Sequence, residues 1–173
     1  EFRRVLFRSK TLEPRWRAAY ARGREAGAYR YDPASKGLRR LKGVALGYIA
    51  ASGAGDAYEL AFQQFDTADN MTDRQGALGT LVNGNSNTRI AALDIFYNRY
   101  SDNALVLDKW FSTQAFSARD DTPEVVMELA RHRDFTLANP NRARALVGAF
   151  SMNQRAFHVA DGRGYRFVAD QLI

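Results

Sequence analysis

From Lys36 onward the apolar residues recur at helical spacing, in short stretches that each end on a turn signal. This pattern limits the chain more than any other feature. Leu38, Leu41, Ala45, Tyr48 and Ile49 share one helical face, and Ser52-Gly53-Ala54-Gly55 closes it, because Gly accepts the left-handed conformation. Tyr58, Ala61, Phe62 and Phe65 form the next stripe; Leu78, Leu81 and Val82 form a third, ended by Asn83-Gly84-Asn85. Ile90, Leu93, Tyr97 and Tyr100 follow, then Leu107, Trp110, Phe111 and Gln114 after a break at Ser101-Asp102-Asn103. The last stripes are Ala143, Leu146, Ala149 and Phe150, then Tyr165, Val168, Ala169 and Leu172. No stretch sustains the period-two alternation of a strand. Helices of roughly 10–16 residues with short loops predict an all-α fold of antiparallel hairpins, stacked in an array or crossed as an orthogonal bundle.

Start signals sharpen the expected boundaries. Thr72-Asp73-Arg74-Gln75 has the Thr-x-x-Gln form of a capping box. Thr122-Pro123-Glu124 reads as an N-cap, a Pro at the first helical position and an acid near the positive helix end. Asn139-Pro140 repeats the signal. With 173 residues, one domain is expected, large enough to need no covalent staple. No apolar run approaches the roughly 18 residues of a membrane-spanning helix.

The chemistry open to the chain is narrow. It has no Cys and only two His, which excludes thiolate chemistry and leaves few metal ligands. There is no His-Glu-x-x-His, Gly-x-Ser-x-Gly, P-loop or Gly-x-Gly-x-x-Gly. The net charge of +6 is uneven. Residues 1–40 hold 12 basic against 4 acidic side chains, whereas the remaining 133 hold 13 against 15. Arg15, Arg17, Arg22 and Arg24 read as a solvated helix face, and no nucleic-acid motif accompanies them. Val5-Leu6-Phe7-Arg8-Ser9 can be encoded by GTG CTC TTC CGA TCT, which resembles the end of a sequencing-adapter oligonucleotide. Residues 1–9 are therefore expected to be adapter read-through and residues 10–173 the native part.

His132 sits in Ala130-Arg131-His132-Arg133-Asp134, where a cation would complement a helix C-terminus. His158 has no ligand partner at metal spacing, and Asp120-Asp121 reads as loop and cap. Asp66, Asp69 and Asp73 resemble a calcium loop only loosely, lacking its Gly and terminal Glu. Leu107-Asp108-Lys109-Trp110-Phe111, an acid and a base inside an aromatic stripe, reads as a buried helix whose Asp108 pairs locally, with substrate contact as the alternative. In Asn139–Phe150 the helical wheel puts Arg142 on the flank and Arg144 with Gly148 opposite the apolar face. A guanidinium beside a Gly gap suits a ligand carboxylate or carbonyl, and equally a solvent-facing helix.

Several strings together resemble the C-terminal helical domain of the bacterial aminopeptidase N family. They are Gln63-Gln64-Phe65-Asp66-Thr67-Ala68-Asp69-Asn70-Met71-Thr72-Asp73, Leu105-Val106-Leu107-Asp108-Lys109-Trp110-Phe111 and His132 through Arg142. Val147-Gly148-Ala149-Phe150 and Phe157 through Tyr165 extend the match, in the family's order, from about residue 11 to the end. The resemblance implies a curved, ARM/HEAT-like superhelical array of helical hairpins. It further implies a zinc metallopeptidase of the membrane alanyl aminopeptidase type, which removes N-terminal residues from peptides in the cytoplasm. The family's zinc ligands lie upstream, so the expected cofactor set of this chain is none, with zinc in the parent's catalytic domain. Residues 10–173 would be an incomplete, non-catalytic domain that caps the substrate cavity and limits access. The implied partners are the parent's own catalytic domain and its peptide substrates, with neither membrane nor nucleic acid expected. By position in the motif, Arg144 and then Arg142 are the candidate substrate-cavity residues. The alternative from another class is a stand-alone helical-repeat scaffold that binds protein or nucleic acid.

Overall fold

The structure is a computed structural model that describes residues 9–24, 27 and 29–171. Apart from Ser9, the expected read-through segment lies outside the described residues, as does Leu172. The described residues form α-helices, one π-helical turn and loops, with no strand among them. They divide into two compact units, Glu1–Ala92 and Leu93–Ile173.

In the first unit, α1 (Glu13–Arg22) packs on α2 (Pro33–Ser52), and α3 (Ala57–Thr67) pairs with α4 (Met71–Leu81). The Asp32 carboxylate accepts the Ser35 N–H at 2.9 Å and Pro33 takes the first position, so α2 starts on a complete cap. That bond, the largest cause, holds the Asp32 carboxyl below its ordinary range. Gly53, at φ 79°, ends the helix as expected.

The buried face of α2 differs from the expected stripe. Leu38 and Leu41 are 38% and 39% exposed, while Arg39, Lys42, Ala45, Leu46 and Ile49 are buried. Two cations can turn inward because both find partners. Lys42 Nζ meets Asp73 Oδ2 at 2.5 Å, and the Arg39 guanidinium lies over the Tyr29 ring and donates to Arg30 O at 3.0 Å. Their aliphatic stems supply apolar surface that a hydrophobicity count does not register.

Trp16 stacks on Tyr48 with centroids 4.3 Å apart, joining α1 to α2. Arg17 donates to both Asp56 oxygens, at 3.0 and 2.6 Å, and to Glu13. This pairing raises the Arg17 pKa and lowers that of Asp56. Arg15, Arg22 and Arg24 are exposed, as expected of a solvated face.

The α3–α4 hairpin corrects the expected capping box. Asn70 is the N-cap of α4, with extended backbone, and its Oδ1 accepts the Asp73 N–H at 2.9 Å. Thr72 is already inside the helix and cannot cap it. Arg74 donates to the carbonyls of Phe65 and Ala68, satisfying acceptors at the end of α3. Phe65, Leu46, Ile49, Leu78 and Leu81 are fully buried between these helices. Deleting one such Phe side chain costs about 3–5 kcal/mol.

Helix α5 (Asn87–Tyr100) runs across the boundary between the units. The second unit continues with α6 (Ala104–Ala115), α7 (Thr122–Leu129), α8 (Pro140–Ala143), a π turn (Arg144–Gly148), α9 (Ala149–Met152), α10 (Gln154–Phe157) and α11 (Arg163–Asp170). Leu107, Trp110, Phe111 and Gln114 are buried as the stripe requires, but Ile90 is 56% exposed. The N-cap position of α7 is Asp121, not Thr122, whose hydroxyl donates instead to Ser117 O at 3.1 Å. Asn139 does cap α8, accepting from the N–H groups of Asn141 and Arg142. The last stripe is corrected too: α11 buries Gly164 and Phe167, while Tyr165 is 51% exposed. A Cβ on Gly164 would collide with the Phe157 carbonyl, so only Gly permits this approach. Phe167 then reaches the buried Phe150, with ring centroids 5.8 Å apart.

Candidate functional site

The two arginines picked out by the sequence lie at the π turn of the second unit, in opposite environments. Arg142 is 5% exposed. Its Nε meets Asp108 Oδ1 at 2.5 Å, Nη1 donates to Asp134 O, and Nη2 reaches Ala104 O at 3.5 Å. The guanidinium also lies 4.8 Å from the centre of the Phe111 ring. A planar fork with five N–H donors suits three acceptors, two on α6 and one in the loop at Asp134, and the filled bonds offset the cost of burying charge. The expected flank position of Arg142 is thus corrected to a core position, its hydrogen bonds spent inside the unit. Asp108 is half-buried on α6, and it pairs 34 residues away rather than locally.

Arg144 is exposed, and among the described residues its guanidinium has a 3.4 Å bond from Nη1 to Asn141 Oδ1. It opens the π turn, where i→i+5 bonding locally widens the helix. Leu146, Ala149 and Phe150 remain buried. Arg144 therefore offers an uncommitted cation on the outer face, suited to a carboxylate or carbonyl.

The histidines are structural. The His132 ring packs against Tyr97, Trp110 and Phe111 at 5.3, 5.4 and 5.8 Å, and its Nδ1 accepts the Asp134 N–H at 3.2 Å. The ring thus sits in an aromatic cluster just past the end of α7, with Nδ1 also 3.8 Å from Asp134 Oδ2. Tyr97 donates to Asp134 Oδ2 at 2.5 Å and accepts from Arg133 Nη2 at 2.9 Å, which raises the Arg133 pKa. His158 shares its Nδ1 with the Tyr165 hydroxyl. Asp120 and Asp121 pair with Arg155 and Arg119 at 2.7 and 2.6 Å. Asp73, suggested loosely for calcium, is occupied by Lys42. Among the described residues no three His, Asp or Glu converge on a point where they could hold a metal ion.

Sequence reasoning missed the Lys42–Asp73 and Tyr97–Asp134 pairs, which join residues 31 and 37 positions apart. The only signal for the first was a Lys at helical spacing inside an apolar stripe.

Fold and site together define an all-helical domain in which the buried Arg39 and Arg142 are spent on contacts within the fold. The sequence matches, over residues 6–173, the family described as "Domain of unknown function (DUF3458_C) ARM repeats", and the chain belongs to that family. It is 39% identical over 145 residues to aminopeptidase N of Escherichia coli, covering 83% of this chain and 17% of that protein. Against aminopeptidase N of Caulobacter vibrioides it is 36% identical over 148 residues, covering 85% and 17%. Among solved structures it superposes on Legionella pneumophila aminopeptidase A in complex with aspartic acid, with TM-score 0.86 and 32% identity. That match covers 96% of this chain and 20% of the other. The chain is homologous to the C-terminal helical domain of aminopeptidase N-type enzymes, and spans about one sixth of those two curated relatives. A stand-alone scaffold is not favoured by these relationships.

Proposed function

We propose that this chain is the non-catalytic C-terminal domain of a zinc-dependent aminopeptidase that trims N-terminal residues from peptides. On this reading it packs over the enzyme's catalytic domain, caps the substrate cavity and limits what enters. The observation that carries the reading is the match of nearly the whole chain, in fold and sequence, to one segment of aminopeptidases. On this reading zinc and the catalytic base would come from the rest of such an enzyme, which this chain does not span. The reading extends to a cytoplasmic enzyme engaged in peptide catabolism.

Arg144 is the residue of this domain best placed to meet a peptide. Its guanidinium stands on the exposed face of the π turn, free of any carboxylate partner among the described contacts. It would hold the carboxylate at the far end of a short peptide, whereas Arg142 holds the turn itself. The test is a hybrid enzyme in which this chain replaces the matching segment of Escherichia coli aminopeptidase N. The hybrid is expected to hydrolyse dipeptides and tripeptides, and Arg144→Ala to raise KM for free-carboxylate peptides about tenfold with kcat unchanged. Peptides with an amidated C-terminus should show no such change. An inactive but folded hybrid, or equal effects on both peptide sets, overturns this reading.

A further inference from the structure

A cleft of about 630 Å³ opens in the first unit, walled by Tyr20, Arg39 and Leu60, with Lys42, Gln64 and Asp73 at its base. The three basal residues are 8%, 7% and 7% exposed. Their internal bonds leave a specific remainder. Lys42 Nζ and Asn70 Nδ2 both donate to Asp73 Oδ2, at 2.5 and 3.2 Å, and Gln64 Nε2 donates to the Asp73 carbonyl at 2.9 Å. Asp73 Oδ1 and Gln64 Oε1 are buried and accept nothing from the protein. The Lys42 ammonium has three N–H donors and one carboxylate partner.

We propose that this cleft binds a carboxamide. A buried acceptor without a donor is costly, and two of them line the same cleft beside a cation with donors to spare. A simple anion would face the Asp73 carboxylate and the Gln64 carbonyl oxygen; a simple cation would face Lys42. A carboxamide presents one carbonyl oxygen and two N–H groups in a single plane, which matches one ammonium and two acceptors. The carbonyl takes a donor from Lys42 Nζ, and the N–H groups go to Asp73 Oδ1 and Gln64 Oε1. The group can come from a free small amide or from an Asn or Gln side chain of a peptide. The inference stands apart from the aminopeptidase reading, since it concerns a cleft built only from the first unit.

The test is a titration of the 15N-labelled 173-residue chain with butyramide, butyrate and butylammonium, followed by the amide resonances of Gln64, Asn70 and Asp73. Butyramide is expected to give saturable shifts confined to these residues, and the two ions none. Gln64→Met should weaken butyramide binding at least tenfold and leave the remaining resonances in place. A blocked Gly-Gln-Gly peptide that binds tenfold tighter than butyramide, while its Gly-Glu-Gly counterpart does not, assigns the group to a peptide side chain; equal affinity assigns it to a free amide. No saturable shift, equal shifts from either ion, or Gln64→Met binding as the parent does, overturns the proposal. So does a long-lived water, seen by cross-relaxation to the Asp73 amide, that persists at saturating butyramide. That readout needs no variant.

Discussion

Each unit of the molecule holds one long-range ion pair whose cation is buried, and the two pairs are finished differently. In the second unit, Arg142 reaches Asp108, Asp134 and Ala104 and lies against Phe111, so the guanidinium ties its own helix both to α6 and to the loop at Asp134. In the first unit, Lys42 meets Asp73 alone, and the acceptors Asp73 Oδ1 and Gln64 Oε1 stay without protein donors beside an open cleft. A planar fork can satisfy several carbonyls, whereas an ammonium is a point charge that leaves the surrounding geometry loose. The first arrangement therefore serves the fold, and the second retains capacity to bind.

The sharpest way to break this contrast is to remove charges singly and then in pairs. Arg142→Ala leaves the half-buried Asp108 and the Asp134 carbonyl without their donor and is expected to cost about 3 kcal/mol in denaturant unfolding, with Lys42→Met costing about 3 kcal/mol. The double replacements should then diverge. Lys42→Met with Asp73→Leu is expected to recover most of its loss, because few other groups depend on that pair. Arg142→Met with Asp108→Leu is expected to stay destabilised, because the Asp134 carbonyl also loses its donor. Equal recovery in both would erase the distinction.

Next in size is packing around the π turn and α11. Gly164→Ala drives a methyl group into the Phe157 carbonyl and is expected to cost about 1–3 kcal/mol. At Gly148 a Cβ would meet only Arg144 Cβ at 3.7 Å, so Gly148→Ala should leave stability unchanged or raise it by about 0.5–1 kcal/mol. Thermal unfolding of both variants checks the pair.

A smaller effect separates the two Asn caps. Asn139→Ala and Asn70→Ala should each lose about 1 kcal/mol. Only Asn70→Ala should also change the cleft, because Asn70 Nδ2 donates to Asp73 Oδ2. Chemical denaturation together with the amide shift of Asp73 would show the difference.

The smallest expected effect is the response to acid. Asp32 and Asp56 of the first unit sit below their ordinary range, through the Ser35 N–H and Arg17 respectively. Because the folded value is the lower one, their stabilisation is complete above the unfolded carboxylate range. It fades as pH falls from that range, about 3.9, through the depressed folded value. Asp32→Asn, which keeps a capping oxygen but cannot titrate, should flatten that part of the stability curve between pH 5 and pH 2.5.

Much of the fold was legible because its signals are local. Gly53, Asn139 with Pro140, and the Leu107–Gln114 stripe each need only a few neighbouring residues to be read. The failures have a common cause in tertiary contacts. Lys42 and Arg39 face inward because Asp73 and the Tyr29–Arg30 segment receive them, which no count of apolar spacing can foresee. The α11 face was misread because its closest contact is a Gly, which contributes nothing to an apolar stripe. At the candidate site, the wheel put Arg142 on the flank, where the structure buries it, because no wheel can find Asp108 and Asp134 as its partners. The family strings carried more about role than any single residue did, since they extend along the chain in a fixed order.

The most direct test of the central claim is a peptidase assay on the purified 173-residue chain. The chain would be supplied with equimolar zinc and an alanine p-nitroanilide substrate, and folding confirmed by circular dichroism. A domain that only caps another's chemistry releases no nitroaniline above the zinc-only blank. Zinc-dependent turnover that survives further purification and disappears with chelator would contradict the account.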